Sequence, residues 1–179
     1  MFDDSDVKIV GSKPSETVKK HMGENSDELL PKELVERCKA LGSNLALKFL
    51  KSIDSVFVDE STDTQMIIQR RLLLSFTVNV ILDEYCVDDT VSGIAVKSFL
   101  DTLAKKSPQI YESCCDTGAF SFYYLAYRRR IDVERRIGQT FAMLCAHDGD
   151  PIYQELGEAL YCWFVSVVKS EIEKFNLNK

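Results

Sequence analysis

Histidine is scarce in this sequence, which has only two, His21 and His147, among 179 residues. Catalysis by a Ser-His or Cys-His pair therefore has little to draw on. Cys145 and His147 are the only close pair of these types, and two residues apart on a helix they lie about 200° apart around the axis. They cannot act as a local nucleophile and base, so the sequence favours a protein that is not an enzyme.

Long apolar runs are also missing. No stretch reaches the roughly 20 apolar residues that cross a bilayer, and the N-terminus MFDDSDVKIV has neither the basic lead nor the apolar core of a secretory signal. We expect no membrane partner and an intracellular, cytoplasmic location. The formal net charge of −6, from 22 basic and 28 acidic residues, would repel phosphate backbones, so we expect no nucleic acid partner.

The six cysteines form no C-x-x-C pair, and the vicinal Cys114 and Cys115 have no such partner. A zinc site is therefore not predicted. In a reducing compartment, thiols in apolar helical stretches usually behave as small buried hydrophobic groups. We expect no structural disulfides and no cofactor.

Helical spacing of apolar residues begins after residue 28. The predicted helices cover residues 31–57, 64–86, 90–105, 108–115, 119–147 and 150–175. Phe76, Val78 and Val80 alternate with polar residues as in a strand, but no second strand pattern could pair with this one, so we predict helix over residues 72–82.

These elements predict an all-α fold. It is a single-domain, antiparallel-type helical bundle over residues 29–179, with about five principal helices and one or two short ones. Residues 1–28 contain few large apolar side chains and several turn residues. We expect them to form a flexible or loosely attached arm.

The last apolar segment is the predicted central helix. Asp150 and Pro151 are suited to begin it, and between Ala159 and Val168 only Ser166 is polar. Apolar residues around nearly the whole circumference are typical of a helix surrounded by others. Trp163 is accordingly expected to be a core anchor.

Three glycines lie inside predicted helices, where each costs about 1 kcal/mol relative to alanine. They are Gly42, Gly138 and Gly157. Close approach of neighbouring helices would explain them, and a ligand pocket left open by the missing side chains is the alternative.

The best functional lead is an aromatic and arginine-rich stretch. Five arginines against Asp132 and Glu134 make residues 123–136 positive within an acidic chain, and arginine can grip a carboxylate or phosphate with two parallel bonds. We predict a face that binds a protein or a small anionic ligand. Its candidate residues are Tyr123, Tyr127, Arg128, Arg130 and Arg135. The competing interpretation is a surface ladder of ion pairs.

Two other functions remain open. Asp83, Glu84, Asp88 and Asp89 could hold a divalent cation in a metal-carboxylate helical enzyme. However, Val87 stands where the Asp-Asp-x-x-Asp pattern of magnesium-dependent helical synthases needs its last aspartate. Helix capping explains these acids as well. The third possibility is a structural homo-oligomer.

Overall fold

The computed structural model describes residues 30–54, 64–114 and 117–179, so the predicted arm, residues 1–28, lies outside them. Residues 31–179 form one compact unit. Within the described ranges there are seven α-helices and no named strand, which confirms the all-α prediction. The helices are α1 (Lys32–Asp54), α2 (Thr64–Tyr85), α3 (Asp89–Lys106), α4 (Pro108–Cys114), α5 (Thr117–Arg128), α6 (Val133–Leu144) and α7 (Pro151–Lys174).

The central helix is α2. It contacts all six other helices, and every residue from Leu72 to Val78 is buried. The predicted helix over residues 72–82 is therefore confirmed. Thr77 tolerates this burial because its hydroxyl donates to the carbonyl oxygen of Leu73 at 2.8 Å. That bond satisfies a polar group that would otherwise be costly inside a core.

The prediction that the last helix is central was wrong. α7 packs one side against α6, α2 and α1, with Phe164 and Val168 fully buried there. Its opposite side carries large apolar residues in solvent, and Trp163 is 45% exposed instead of a core anchor. A sequence shows how apolar a helix is around its circumference, but it does not show how many neighbours the helix has.

The predicted single helix over residues 119–147 was also wrong, because the chain forms two helices there. Between α5 and α6, Arg130 and Asp132 adopt left-handed backbone conformations, with φ of 55° and 48°. This conformation is unfavourable for residues other than glycine and stops a right-handed helix. The arginine-rich stretch consequently includes a bend at residues 129–132, with Arg128 at the end of α5 and Arg135 and Arg136 in α6.

Close helix approach explains the three helical glycines. A Cβ atom on Gly42 would collide with the Ala95 carbonyl oxygen of α3, and one on Gly138 would collide with the Gln154 carbonyl oxygen of α7. At Gly157 the added atom would lie 2.5 Å from the Cβ of Phe141 in α6. These glycines therefore allow α1 to pack on α3 and α6 to pack on α7.

The C-terminal residues return to the end of α2. The amide of Val87 donates to the Leu177 carbonyl oxygen at 2.9 Å, and the Lys179 amide donates to the Tyr85 carbonyl oxygen at 3.0 Å. Leu177 is buried beneath this crossing. The contacts fix the end of α2, where Glu84 lies.

Candidate functional site

The two predicted tyrosines face inward from α5. Tyr123 is fully buried and Tyr127 is 7% exposed. Their ring centroids lie 5.5 and 6.1 Å from that of Phe76 in α2. Burial raises the pKa of both phenols. Tyr123 supports the surface from beneath and offers no area for contact with a partner.

Arg130 and Tyr127 are joined by Glu84. The Tyr127 hydroxyl donates to Glu84 Oε2, and Arg130 Nη1 donates to Glu84 Oε1 at 3.0 Å. The guanidinium carbon lies 4.7 Å from the centroid of the Tyr127 ring. Burial alone would favour neutral Glu84, but the hydrogen bonds from Tyr127 and Arg130 outweigh it and lower the pKa of the carboxyl group.

This Glu84–Tyr127–Arg130 network unites parts of two predicted sites. Glu84 belonged to the candidate metal cluster, whereas Tyr127 and Arg130 belonged to the candidate binding face. In the fold each member is a partner of the other two. Arg130, whose side chain is 60% exposed, thus forms a surface ion pair with Glu84, as the ion-pair interpretation expects.

The other arginines of this stretch have no carboxylate partner in the described ranges. Arg128, Arg129 and Arg135 are exposed, and none forms an ion pair or a side-chain hydrogen bond with another residue in the described ranges. Arg136 Nε donates to the Ile131 carbonyl oxygen at 3.0 Å. This surface therefore presents positive charge that the described part of the protein does not neutralise.

A cleft between α5 and α6 places two of these arginines beside apolar side chains. Its volume is about 330 Å³, and it is lined by Arg129, which directly follows α5, and by Arg136 of α6. Phe122 and Leu125 are 49% and 60% exposed at this position. The remaining lining residues are Ala126, Gln139, Thr140, Met143 and Asp148. We call this site the α5–α6 cleft.

The cleft includes residues that the sequence analysis had not selected. Phe122 and Leu125 of α5 and Arg129, directly after it, recur at spacings of three and four, and Arg136, Thr140 and Met143 recur at four and three along α6. These spacings mark one stripe on each helix. They were a usable signal, but treating the segment as a single helix hid the angle between the stripes.

The four acidic candidates for a metal site do not share one set of contacts. Asp88 caps α3, accepting from the amides of Thr90 and Val91 at 2.8 and 2.9 Å, as its position predicted. Glu84 is engaged by Arg130 and Tyr127. No group of three or more histidine, cysteine or acidic side chains that could hold a metal ion occurs in the ranges that the structure describes.

Asp83 of α2 and Asp89 of α3 line a separate, larger groove. This groove, of about 750 Å³, also contains Asp101 and Lys97 on its polar part. Its apolar part includes Phe76, Val80, Val96, Leu100 and Phe120. With three acids against one lysine, its charge is opposite to that of the α5–α6 cleft.

None of the helices in the described residues is both long and apolar enough to cross a membrane. Comparisons of the chain with protein family models, with curated proteins and with solved structures gave no match. Functional inference therefore depends on the geometry of the molecule itself.

Proposed function

We propose that this protein is an intracellular helical interaction domain that binds an acidic, amphipathic segment of another protein in the α5–α6 cleft. The observation that carries the proposal is that Arg129, which directly follows α5, and Arg136 of α6 line one cleft together with exposed apolar side chains. Binding requires no chemical step by the domain.

Charge supports an acidic partner. The chain carries a net charge of −6, yet residues 128–136 contain five arginines and two acids. A local positive surface on an acidic molecule steers acidic partners towards itself and leaves the rest of the molecule repulsive to them. Arg130 is already paired with Glu84, so Arg129 and Arg136 are the arginines of the cleft that remain to contact carboxylates.

The apolar side chains favour a protein segment over a small anion. Phe122, Leu125 and Met143 would gain from covering by apolar partner residues, whereas inorganic phosphate would leave them in water. An amphipathic helix can cover the apolar side chains and contact the arginines at once, because it carries apolar residues on one face and can carry carboxylates at the edge of that face. Asp148 at the rim would disfavour a partner that places an acid next to it.

The test uses a synthetic peptide that repeats glutamate and leucine at helical spacing, followed by NMR on the full chain. We expect the signals of Leu125 and Met143 to shift on addition of the peptide, and the affinity to fall with added salt. A peptide with lysine in place of glutamate should not shift them. Inorganic phosphate, added alone, distinguishes a simple anion site, because it should leave both signals unchanged.

The matched variants remove two positive charges each. The double variant Arg129→Gln and Arg136→Gln should lose the peptide while its melting temperature stays close to that of the wild type. The double variant Lys105→Gln and Lys106→Gln, on the exposed end of α3, should retain it. Equal binding by both double variants would reject the cleft as the recognition site, and a response to phosphate alone would favour a small anionic ligand.

A further inference from the structure

The outer face of α7 carries a continuous row of exposed residues. They are Ile152, Leu156, Ala159, Trp163, Ser166 and Ser170, and each is exposed. Their spacings of four, three, four, three and four residues are those of a heptad seam, which places all six on one line along the helix. We call this row the outer stripe. It is separate from the residues that line the α5–α6 cleft.

The order of side chains along the outer stripe is complementary to itself. Its first half holds large Ile152 and Leu156, and its second half holds small Ser166 and Ser170. If two copies of α7 lie antiparallel, Ile152 faces Ser170 and Leu156 faces Ser166 of the other copy. Each layer then combines one large and one small side chain, which fills space without a clash.

The middle of the outer stripe follows the same rule. The antiparallel arrangement pairs Ala159 with Trp163, so the exposed indole ring would lie over the small alanine of the other copy. A two-fold axis requires that residue i contacts residue j and that j contacts i in return, and all three layers satisfy this condition. Parallel pairing would instead oppose Trp163 to Trp163 and leave a gap between the serines.

We propose that the outer stripe binds a second copy of this chain, with the two α7 helices antiparallel and the two-fold axis crossing the outer stripe midway between Ala159 and Trp163. From Ile152 to Ser170 the stripe is about 27 Å long, at 1.5 Å per residue. An interface of one helix pair this long falls at the small end of specific protein interfaces. The dimer should therefore dissociate on dilution in the micromolar range.

The first test is sedimentation of the full chain from millimolar to submicromolar concentration. We expect the mass to change from dimer to monomer on dilution, and Leu156→Lys to keep the protein monomeric throughout. The matched control is Leu47→Lys, which places the same charge at an exposed leucine of α1 and should dimerise normally. A monomer at every concentration, or a dimer unaffected by Leu156→Lys, would overturn the proposal.

The second test distinguishes antiparallel from parallel pairing by exchanging two side chains. Ala159→Trp alone should weaken the dimer because two indole rings would compete for each layer, and Trp163→Ala alone should weaken it by leaving a gap. The double variant restores one large and one small residue in each layer and should recover most of the affinity. Failure of the double variant to recover, when each single variant dimerises weakly, would refute the antiparallel arrangement.

Cys162 provides a third test that does not disturb the outer stripe. It is the exposed cysteine among the five described ones, and it lies one residue from the proposed axis. At an interaxial distance of about 8–10 Å, the two Cys162 thiols would lie within reach of a short bis-maleimide. Mass spectrometry should identify a Cys162–Cys162 link that disappears in Cys162→Ser. A dimer that yields no such link would contradict the position of the axis.

Discussion

α2 and α7 are apolar helices of nearly equal length, with 22 and 24 residues, yet they have different places in the fold. α2 contacts all six other helices, whereas α7 packs on α1, α2 and α6 and leaves its outer stripe in solvent. The comparison shows that apolar content does not identify a central helix. The number of neighbouring helices determines which helix is central, and that number depends on the path of the whole chain.

Polar residues also behave differently in the two helices. In α2, the Asn79 side chain donates to the Ser75 carbonyl oxygen at 2.9 Å and Thr77 donates to Leu73, so each of these two side chains has a partner within the helix itself. In α7, Ser166 lies on the exposed side although its neighbours in sequence are apolar. A helix can thus contain several polar residues and be buried, or only one in a long stretch and be half exposed.

The largest expected effect is the removal of a ring from the middle of α2. Phe76 is 1% exposed, and its ring contacts those of Phe120, Tyr123 and Tyr127. Phe76→Ala should lower the free energy of unfolding by about 3–5 kcal/mol, because the surrounding rings cannot close the cavity fully. Urea denaturation would measure this loss. A change below about 1 kcal/mol would mean that α2 is not the packed centre of the fold.

The next largest expected effect is the addition of a methyl group on the inner face of α7, where there is no space for it. In Gly157→Ala, the new methyl group would press on the Phe141 side chain, and we expect a loss of about 1–3 kcal/mol. Gly93→Ala in α3 is the matched control, since nothing lies within 4 Å of its added Cβ. That control should stabilise the protein by up to about 1 kcal/mol through helix propensity. Similar values for the two variants would contradict close packing of α6 and α7.

A buried carboxylate on α7 should make stability depend on pH. The side chain of Glu171 is 1% exposed, and it accepts from Lys174 Nζ at 2.6 Å and Asn44 Nδ2 at 2.8 Å, with Lys48 Nζ at 3.3 Å. Burial favours its neutral form, but the bonds from Lys174 and Lys48 outweigh burial and lower the pKa of Glu171 below the ordinary value of 4.5.

A group with a lowered pKa stabilises the fold fully at pH values above its unfolded-state pKa. This stabilisation is lost as the pH falls through its lower folded-state pKa. Glu171→Gln should therefore cost about 1–2 kcal/mol near neutral pH. The stability curves of wild type and variant should converge on acidification below the ordinary glutamate pKa. Unfolding measured across this range would show it, and a constant difference at every pH would rule out the carboxylate as the cause.

The smallest expected effect is at the outer stripe. Because Trp163 is 45% exposed, Trp163→Ala in dilute protein should change the free energy of unfolding by about 1 kcal/mol or less. Thermal unfolding at submicromolar concentration would measure it, with Phe76→Ala as the sensitive reference. A loss as large as that of Phe76→Ala would remove the contrast between the two helices.

Much of the fold could be predicted from local sequence. Asp88 and Asp150 begin α3 and α7 by capping. Helical spacing located α1 to α4 within a few residues. The break at Arg130 and Asp132 could not be predicted, because neither residue is a glycine or proline, the residues that usually mark the end of a helix in a sequence.

The candidate site was predictable only in composition. The excess of arginine over acidic residues in residues 128–136 was evident in the sequence. Which arginine forms an ion pair within the chain and which arginines line the cleft was not evident. Arg130 pairs with Glu84, which is 46 residues away in sequence, whereas Arg129 and Arg136 line the α5–α6 cleft. Both outcomes depend on contacts between helices, and spacing along one helix contains no information about such contacts.

Fluorescence of Trp163, the single tryptophan of the chain, tests most directly whether α7 has a free outer face. At submicromolar concentration we expect emission typical of a solvated indole and strong quenching by acrylamide. At high concentration quenching should weaken as the outer stripe is covered, and Leu156→Lys should prevent this change. Emission typical of a buried indole, with weak quenching at every dilution, would contradict the account and return α7 to the centre of the fold.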